Sequence, residues 1–176
     1  MKTSIALIGF MGTGKTAAGK LLAEKLGKEF IELDALVEKK ACKSIPDIFR
    51  DEGEIAFREL EIAVTREVAG KKNAVIACGG GIVLNKINVD RLRQESVIVC
   101  LAASPAVILK RTSADKDGRP LLAVADRARQ VEELIKFRRP YYAQAADITI
   151  NTSRLKPGAV ARRIIEKVKE HESHGK

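Results

Sequence analysis

At 176 residues, with 45% apolar and 31% charged side chains, the chain is long enough for one domain with its own core, and disorder is not the default. No stretch reaches the length of a membrane span, and residues 1–8 lack the basic start of a secretory signal, so a cytoplasmic protein is expected. The net charge of +9 is spread along the chain, with no basic run interleaved with its five Phe and two Tyr, which argues against nucleic-acid binding.

The first predicted element is a buried strand over residues 5–8, an apolar run. Gly9, Gly12 and Gly14 then crowd into six residues, followed by Lys15, Thr16 and a helical spacing of Leu21, Leu22, Lys25 and Leu26. This is the phosphate-binding loop pattern G-x-x-x-x-G-K-T in its strand–loop–helix setting. Glycines let backbone N–H groups curl around an anion without Cβ clashes. The following helix aims its positive end at the same point. Lys15 supplies a charge for the β- and γ-phosphates, and the Thr16 hydroxyl can ligate Mg²⁺. A nucleoside triphosphate is the expected ligand.

Four more apolar runs read as strands, at 30–33, 74–78, 97–101 and 148–150. Helical patterns fall at 35–40, 45–52, 54–69, 89–94, 105–112, 126–143 and 157–170. Strands alternating with helices imply a parallel α/β sheet covered on both faces. Ser44 and Ser104, each before a helix with an early proline, read as helix starts, and Gly70 as a stop. The tail "HESHGK" is expected to fray. Cys42, Cys78 and Cys100 are odd in number and unevenly spaced, which suggests neither a metal site nor disulfides. Residues 113–126, "SADKDGRPLLAVAD", interrupt the helical patterns as a lid would.

Three places speak to a second substrate. Glu32 and Asp34 stand near the carboxyl end of the second strand, where they can hold a magnesium-bound water or take an acceptor's proton. A solvated acid or a helix cap is the alternative for each. Glu54, Arg58 and Glu61 share one helix face, so Arg58 can be braced to grip a carboxylate; a surface ion-pair ladder has the same spacing. Gly79, Gly80 and Gly81 follow the third strand and suit a ligand resting against bare backbone, or a turn.

"GFMGTGKT", the Asp34 turn, "SIPDIF", "GEIAFRELE", "GGG", "RPLL", "FRRPYY" and "NTSRLKPG", in this order from Ile5 to about Val168, resemble shikimate kinase. The resemblance implies a nucleoside monophosphate kinase-like, three-layer α/β/α P-loop kinase with a five-stranded parallel sheet in order 2-3-1-4-5. Residues 1–176 would form a single kinase domain, with an acceptor-binding segment near 34–61 and a lid near 112–125. It implies Mg²⁺-dependent transfer of the ATP γ-phosphate to the 3-hydroxyl of shikimate, by a monomer with neither nucleic-acid nor membrane partners. Carried over by motif, Lys15, Asp34 and Arg119 are catalytic, with Asp34 the base. ATP would meet Gly12, Thr13, Gly14, Lys15, Thr16, Ala17, Arg111, Arg119 and Arg154. Shikimate would meet Asp34, Arg58, Gly79, Gly80, Gly81 and Arg138. Thr16 would ligate Mg²⁺, with Glu32 reaching it through water where the family usually carries Asp. Arg139 follows Arg138, but the offset from Pro140 and Tyr142 favours Arg138 as the binder. Other small-molecule kinases of this fold lack "FRELE" and the triple glycine in this order. A nucleotide-driven switch would have no use for Asp34 and Arg58.

Overall fold

The short apolar runs form strands: the three central ones are buried almost throughout, and the two at the edges bury only part of their residues. In the computed structural model, which describes residues 2–113 and 126–174, β1 (Ser4–Ile8), β2 (Glu29–Glu32), β3 (Ala74–Ala77), β4 (Ser96–Ala102) and β5 (Ile148–Asn151) form one parallel sheet. Its order is β2-β3-β1-β4-β5, as expected. Central β1 pairs on both flanks, with Ile5 opposite Val75 on one side and Val97 on the other. Its side chains alternate between two cores, as the pleat requires: Ala6 and Ile8 enter one, Ile5 and Leu7 the other.

Eight α-helices among the described residues cover the two faces: α1 (Lys15–Leu26), α2 (Leu33–Ala41), α3 (Ile45–Asp51), α4 (Gly53–Val68), α5 (Lys86–Glu95), α6 (Pro105–Thr112), α7 (Arg127–Ala145) and α8 (Pro157–His174). One core packs Ala18 and Leu22 of α1 and Val160, Ala161 and Ile164 of α8 against Leu7, Val97 and Val99. The other packs Val37, Ile48, Phe57, Val64, Leu92, Ile108 and Tyr142, from α2 through α7, against Ile8, Ile76 and Ile98. The helix carrying the phosphate loop therefore lies on one face. The helices carrying Asp34, Arg58 and Arg138 lie on the other.

Ser44 and Ser104 cap α3 and α6, accepting from Asp47 N at 3.3 Å and Val107 N at 3.4 Å. Cys78 and Cys100 are buried and Cys42 is exposed. Among the described residues no helix is long and apolar enough to cross a membrane.

Three boundaries differ from expectation. β2 stops at Glu32, and Leu33 opens α2, so Asp34 stands in a helix's first turn rather than in a loop. Leu33 is buried either way, and a short apolar run does not distinguish the two. A 3-10 turn, Ile82–Leu84, follows the glycines, and α5 begins at Lys86 rather than residue 89. α8 continues to His174, through most of the tail expected to fray. Arg119 and most of the expected lid lie outside the described residues.

Candidate active site

All five strands run parallel, so their carboxyl ends share one edge, where ligands of open α/β sheets bind. The loop after β1 turns through Gly9, Gly12 and Gly14 at φ 139°, 78° and 98°. Gly9 is required twice over, since a Cβ there would also lie 2.2 Å from the Leu101 carbonyl oxygen. Buried Thr13 locks the turn by donating from its hydroxyl to the Phe10 carbonyl at 2.8 Å. The helical ladder starts with Ala18 N bonding to Gly14 O at 2.9 Å, which leaves the N–H groups of Lys15, Thr16 and Ala17 without intrahelical partners. Lys15 Nζ folds over the loop and donates to Gly9 O at 2.7 Å and Phe10 O at 3.0 Å. Desolvation pulls the Lys15 pKa below its ordinary value, while Asp34 most strongly, and Glu32 less so, pull it back. The result is an anion cradle with a cation folded over it.

A second loop closes on the cradle. Arg111, near the end of α6, donates to Gly12 O at 3.2 Å and to the Thr152 hydroxyl and carbonyl at 3.2 and 2.9 Å. Buried Thr152 in turn donates to Thr13 O at 2.8 Å. Arg111 is thus brought to the phosphate loop, as expected of a residue flanking the nucleotide. Arg154 lies exposed two residues further along the same loop. Thr152 itself was not singled out from sequence; its segment was, but nothing in a polar loop marks which hydroxyl is buried.

The acceptor groups converge on the three glycines. A Cβ on Gly79 would stand 2.9 Å from Asp34 Oδ1 and 3.0 Å from Glu61 Oε1. One on Gly80 would stand 3.5 Å from Arg138 Nη1 and 3.5 Å from the Met11 amide of the phosphate loop. One on Gly81 would stand 2.3 Å from Arg58 Nη2. Each glycine therefore faces a different charged group. Arg58 Nη1 donates to Glu61 Oε2 at 2.9 Å and Nη2 to Glu54 Oε1 at 3.1 Å. The brace is not a surface ladder at its inner end, where the Glu61 side chain is 2% exposed. Burial raises the Glu61 pKa, with Arg58 opposing it. Arg138 is buried and its guanidinium lies 5.6 Å from the Phe10 ring centroid, whereas Arg139 is exposed. The burial of Glu61 and the platform role of Phe10 were both missed from sequence.

Thr16 and Glu32 could hold a cation. The Glu32 carboxylate pairs with the Thr16 hydroxyl, and burial raises its pKa ahead of that bond's lowering effect. Its Oε2 is buried with no hydrogen-bond partner among the described residues. A hydroxyl beside an orphaned carboxylate oxygen fits a hard, oxygen-seeking ion such as Mg²⁺.

A parallel sheet in this order, with a phosphate cradle at the head of α1 and a glycine floor ringed by arginines and carboxylates on the same edge, defines a P-loop kinase. The family model for shikimate kinase matches residues 11–169. The chain belongs to the shikimate kinase family and is an ATP-dependent kinase. It is 44% identical over 173 residues to a shikimate kinase of Thermodesulfovibrio yellowstonii, covering 98% of each chain. It is 48% identical over 162 residues to one of Caldanaerobacter subterraneus subsp. tengcongensis, covering 92% of this chain and 94% of that one. The structure of the Acinetobacter baumannii shikimate kinase in complex with shikimate superposes with a TM-score of 0.92 at 37% identity, over 97% of this chain and 94% of that one.

Proposed function

We propose that this site transfers the γ-phosphoryl group of magnesium-bound ATP to the 3-hydroxyl of shikimate, giving shikimate 3-phosphate on the route to chorismate, with the residues above in specific roles. The observation that carries these roles is the position of Asp34. Its Oδ1 lies against the Gly79 floor, and its charge is the strongest of those supporting the Lys15 ammonium. A carboxylate so placed is shared between acceptor and phosphoryl donor. As the acceptor oxygen bonds to the γ-phosphorus, the bond from phosphorus to the β,γ-bridging oxygen breaks, and Asp34 takes the hydroxyl proton.

Gly12, Thr13, Gly14, Lys15, Thr16 and Ala17 hold the phosphates, and Lys15 neutralises charge on the group in transfer. Arg111 and Arg154 flank the base. Arg58 and Arg138 clasp the shikimate carboxylate, Arg58 already aimed by Glu54 and Glu61. Arg119 is assigned by its motif to stabilise developing charge when the lid excludes water. Magnesium held by Thr16 and, through water, Glu32 would supply Lewis-acid neutralisation of the phosphate oxygens. We take the enzyme to be a cytoplasmic monomer.

The test is ADP release with Mg²⁺ and ATP, with and without shikimate, and the product's mass. Shikimate-dependent release with one added phosphoryl group per shikimate is expected. ATP binding that shikimate does not accelerate into turnover would overturn the acceptor assignment and leave the phosphate loop standing.

A further inference from the structure

Tyr142 lies outside the roles assigned above, yet it touches the centre of the site. Its side chain is buried, and its hydroxyl donates to the Gly80 carbonyl. The Arg138 guanidinium stands beside the same phenol, near enough that its charge and hydrogen-bonding N–H groups oppose the effect of burial on the phenol's pKa. The geometry follows from α7: positions 138 and 142 are one turn apart and share a face. A phenol has one proton to give and lone pairs to receive, so it can donate to a carbonyl and accept from a guanidinium at once. Burial pushes the Tyr142 pKa up, which keeps the hydroxyl a donor at any working pH.

Gly80 is also where the two halves of the site meet. A Cβ there would stand 3.5 Å from the Met11 amide and 3.7 Å from the Gly9 carbonyl on the phosphate-loop side, and 3.5 Å from Arg138 Nη1 on the acceptor side. Arg138 is otherwise held by a ring face and by charge, the Glu61 carboxylate among its neighbours. It lies over the Phe10 ring, and its Nε is buried with no hydrogen-bond partner among the described residues. Neither a ring face nor a carboxylate's charge sets a guanidinium's orientation as a directional hydrogen bond does.

We propose that Tyr142 is a positioning residue for the acceptor: its hydroxyl ties the Arg138 guanidinium to the Gly80 carbonyl and so sets where the acceptor's carboxylate sits relative to the phosphate loop. This rests on the reading of Arg138 as half of the carboxylate clasp.

Tyr142→Phe keeps the ring in the core and removes only the hydroxyl. The shikimate KM should rise about tenfold, the scale of one hydrogen bond to a charged group, with the ATP KM within about twofold of wild type. A merely structural hydroxyl would lower the melting temperature and leave both KM values alone. Arg138→Lys supplies the control: if Tyr142 acts through Arg138, adding Tyr142→Phe to it should raise the shikimate KM no further. Should Arg138→Lys itself leave the shikimate KM unchanged, the clasp reading falls and this inference with it. Should Arg138→Lys raise it while Tyr142→Phe alone does not, or should the two effects multiply, only the Tyr142 proposal is overturned. If Tyr142→Phe does not fold, 3-fluorotyrosine labels just two sites, Tyr141 and Tyr142. Shikimate should then shift the fluorine signal that remains in Tyr141→Phe, and a signal unmoved at saturating shikimate would sink the proposal.

Discussion

Gly79, Gly80 and Gly81 need no left-handed backbone; among the described residues the positive-φ glycines are Gly9, Gly12, Gly14, Gly27 and Gly53. The triple glycine is there for what it leaves out. Gly81→Ala is the sharpest case, because its Cβ would fall 2.3 to 2.6 Å from three atoms of the Arg58 guanidinium. That guanidinium is the far end of a flexible side chain, so it moves and the backbone does not. Gly81→Ala should therefore raise the shikimate KM by roughly tenfold or more, the loss of one charged hydrogen-bonding group, and lower the melting temperature only as far as the Arg58–Glu61 pair is broken. Unchanged KM would mean that Arg58 is not needed where it stands. Glu61 carries a second residue-scale expectation. Burial raises its pKa above the ordinary 4.5, and the opposing Arg58 ion pair at 2.9 Å does not cancel it. From pH 4.5 up to the raised value, the folded chain then holds a proton that the unfolded chain has released, so this group's contribution to stability falls as pH rises through that window. Glu61→Gln does not titrate. The melting temperature of Glu61→Gln relative to wild type should climb from pH 4.5 upward and then level off, and a relative value that declines instead would show that Arg58 wins. The sequence displayed Arg58 with its two acids at helical spacing, but burial at one end of that ladder depends on what β3 and the glycines bring beside it.

Loops joined by single buried groups hold the elements in register around the phosphate loop. The β5–α8 connection is fastened by Thr152, whose hydroxyl donates to Thr13 O at 2.8 Å and accepts from Arg111 at 3.2 Å. Thr152→Val keeps the shape and removes that junction. It leaves the Thr13 carbonyl a buried acceptor without its donor, at a cost of about 1–3 kcal/mol. The ATP KM should rise with the lost stability while shikimate binding, measured by calorimetry, stays put, because Thr152 touches none of the acceptor groups. Equal loss of both ligands would mean general loosening. Elements themselves were easier to read than their junctions. β1, β4 and α6 were legible because their signals are local: an apolar run, or a serine–proline start. The β2–α2 boundary was not, since Leu33 satisfies the core as strand or helix and only the path of Asp34 toward Gly79 distinguishes them.

At the scale of the molecule, the sheet separates two cores: α1, which begins at the phosphate loop, packs into one, and the helices carrying Asp34, Arg58 and Arg138 pack into the other, together with α6 and its Arg111. Ile164 of α8 is buried against α1, the helix that begins at the phosphate loop, on one face. Ile48 of α3 is equally buried on the other, in the core that holds Phe57 and Val64 of the helix carrying Arg58. Each Ile→Ala change deletes the same atoms and should cost about 2–5 kcal/mol. For a chain of this size that lowers the melting temperature by roughly 5 to 20 °C. Stability alone therefore cannot tell the two variants apart, but position can. A cavity beneath α3 lets α4 settle and carries Arg58 away from Gly81, so Ile48→Ala should raise the shikimate KM when assayed well below its transition. Ile164→Ala should leave it unchanged, and any effect on substrate binding should fall on ATP. The two variants, melted and assayed side by side, divide the outcomes cleanly. If both disturb the same KM equally, the sheet transmits core strain as one body, and a cavity beneath α3 does not act through Arg58.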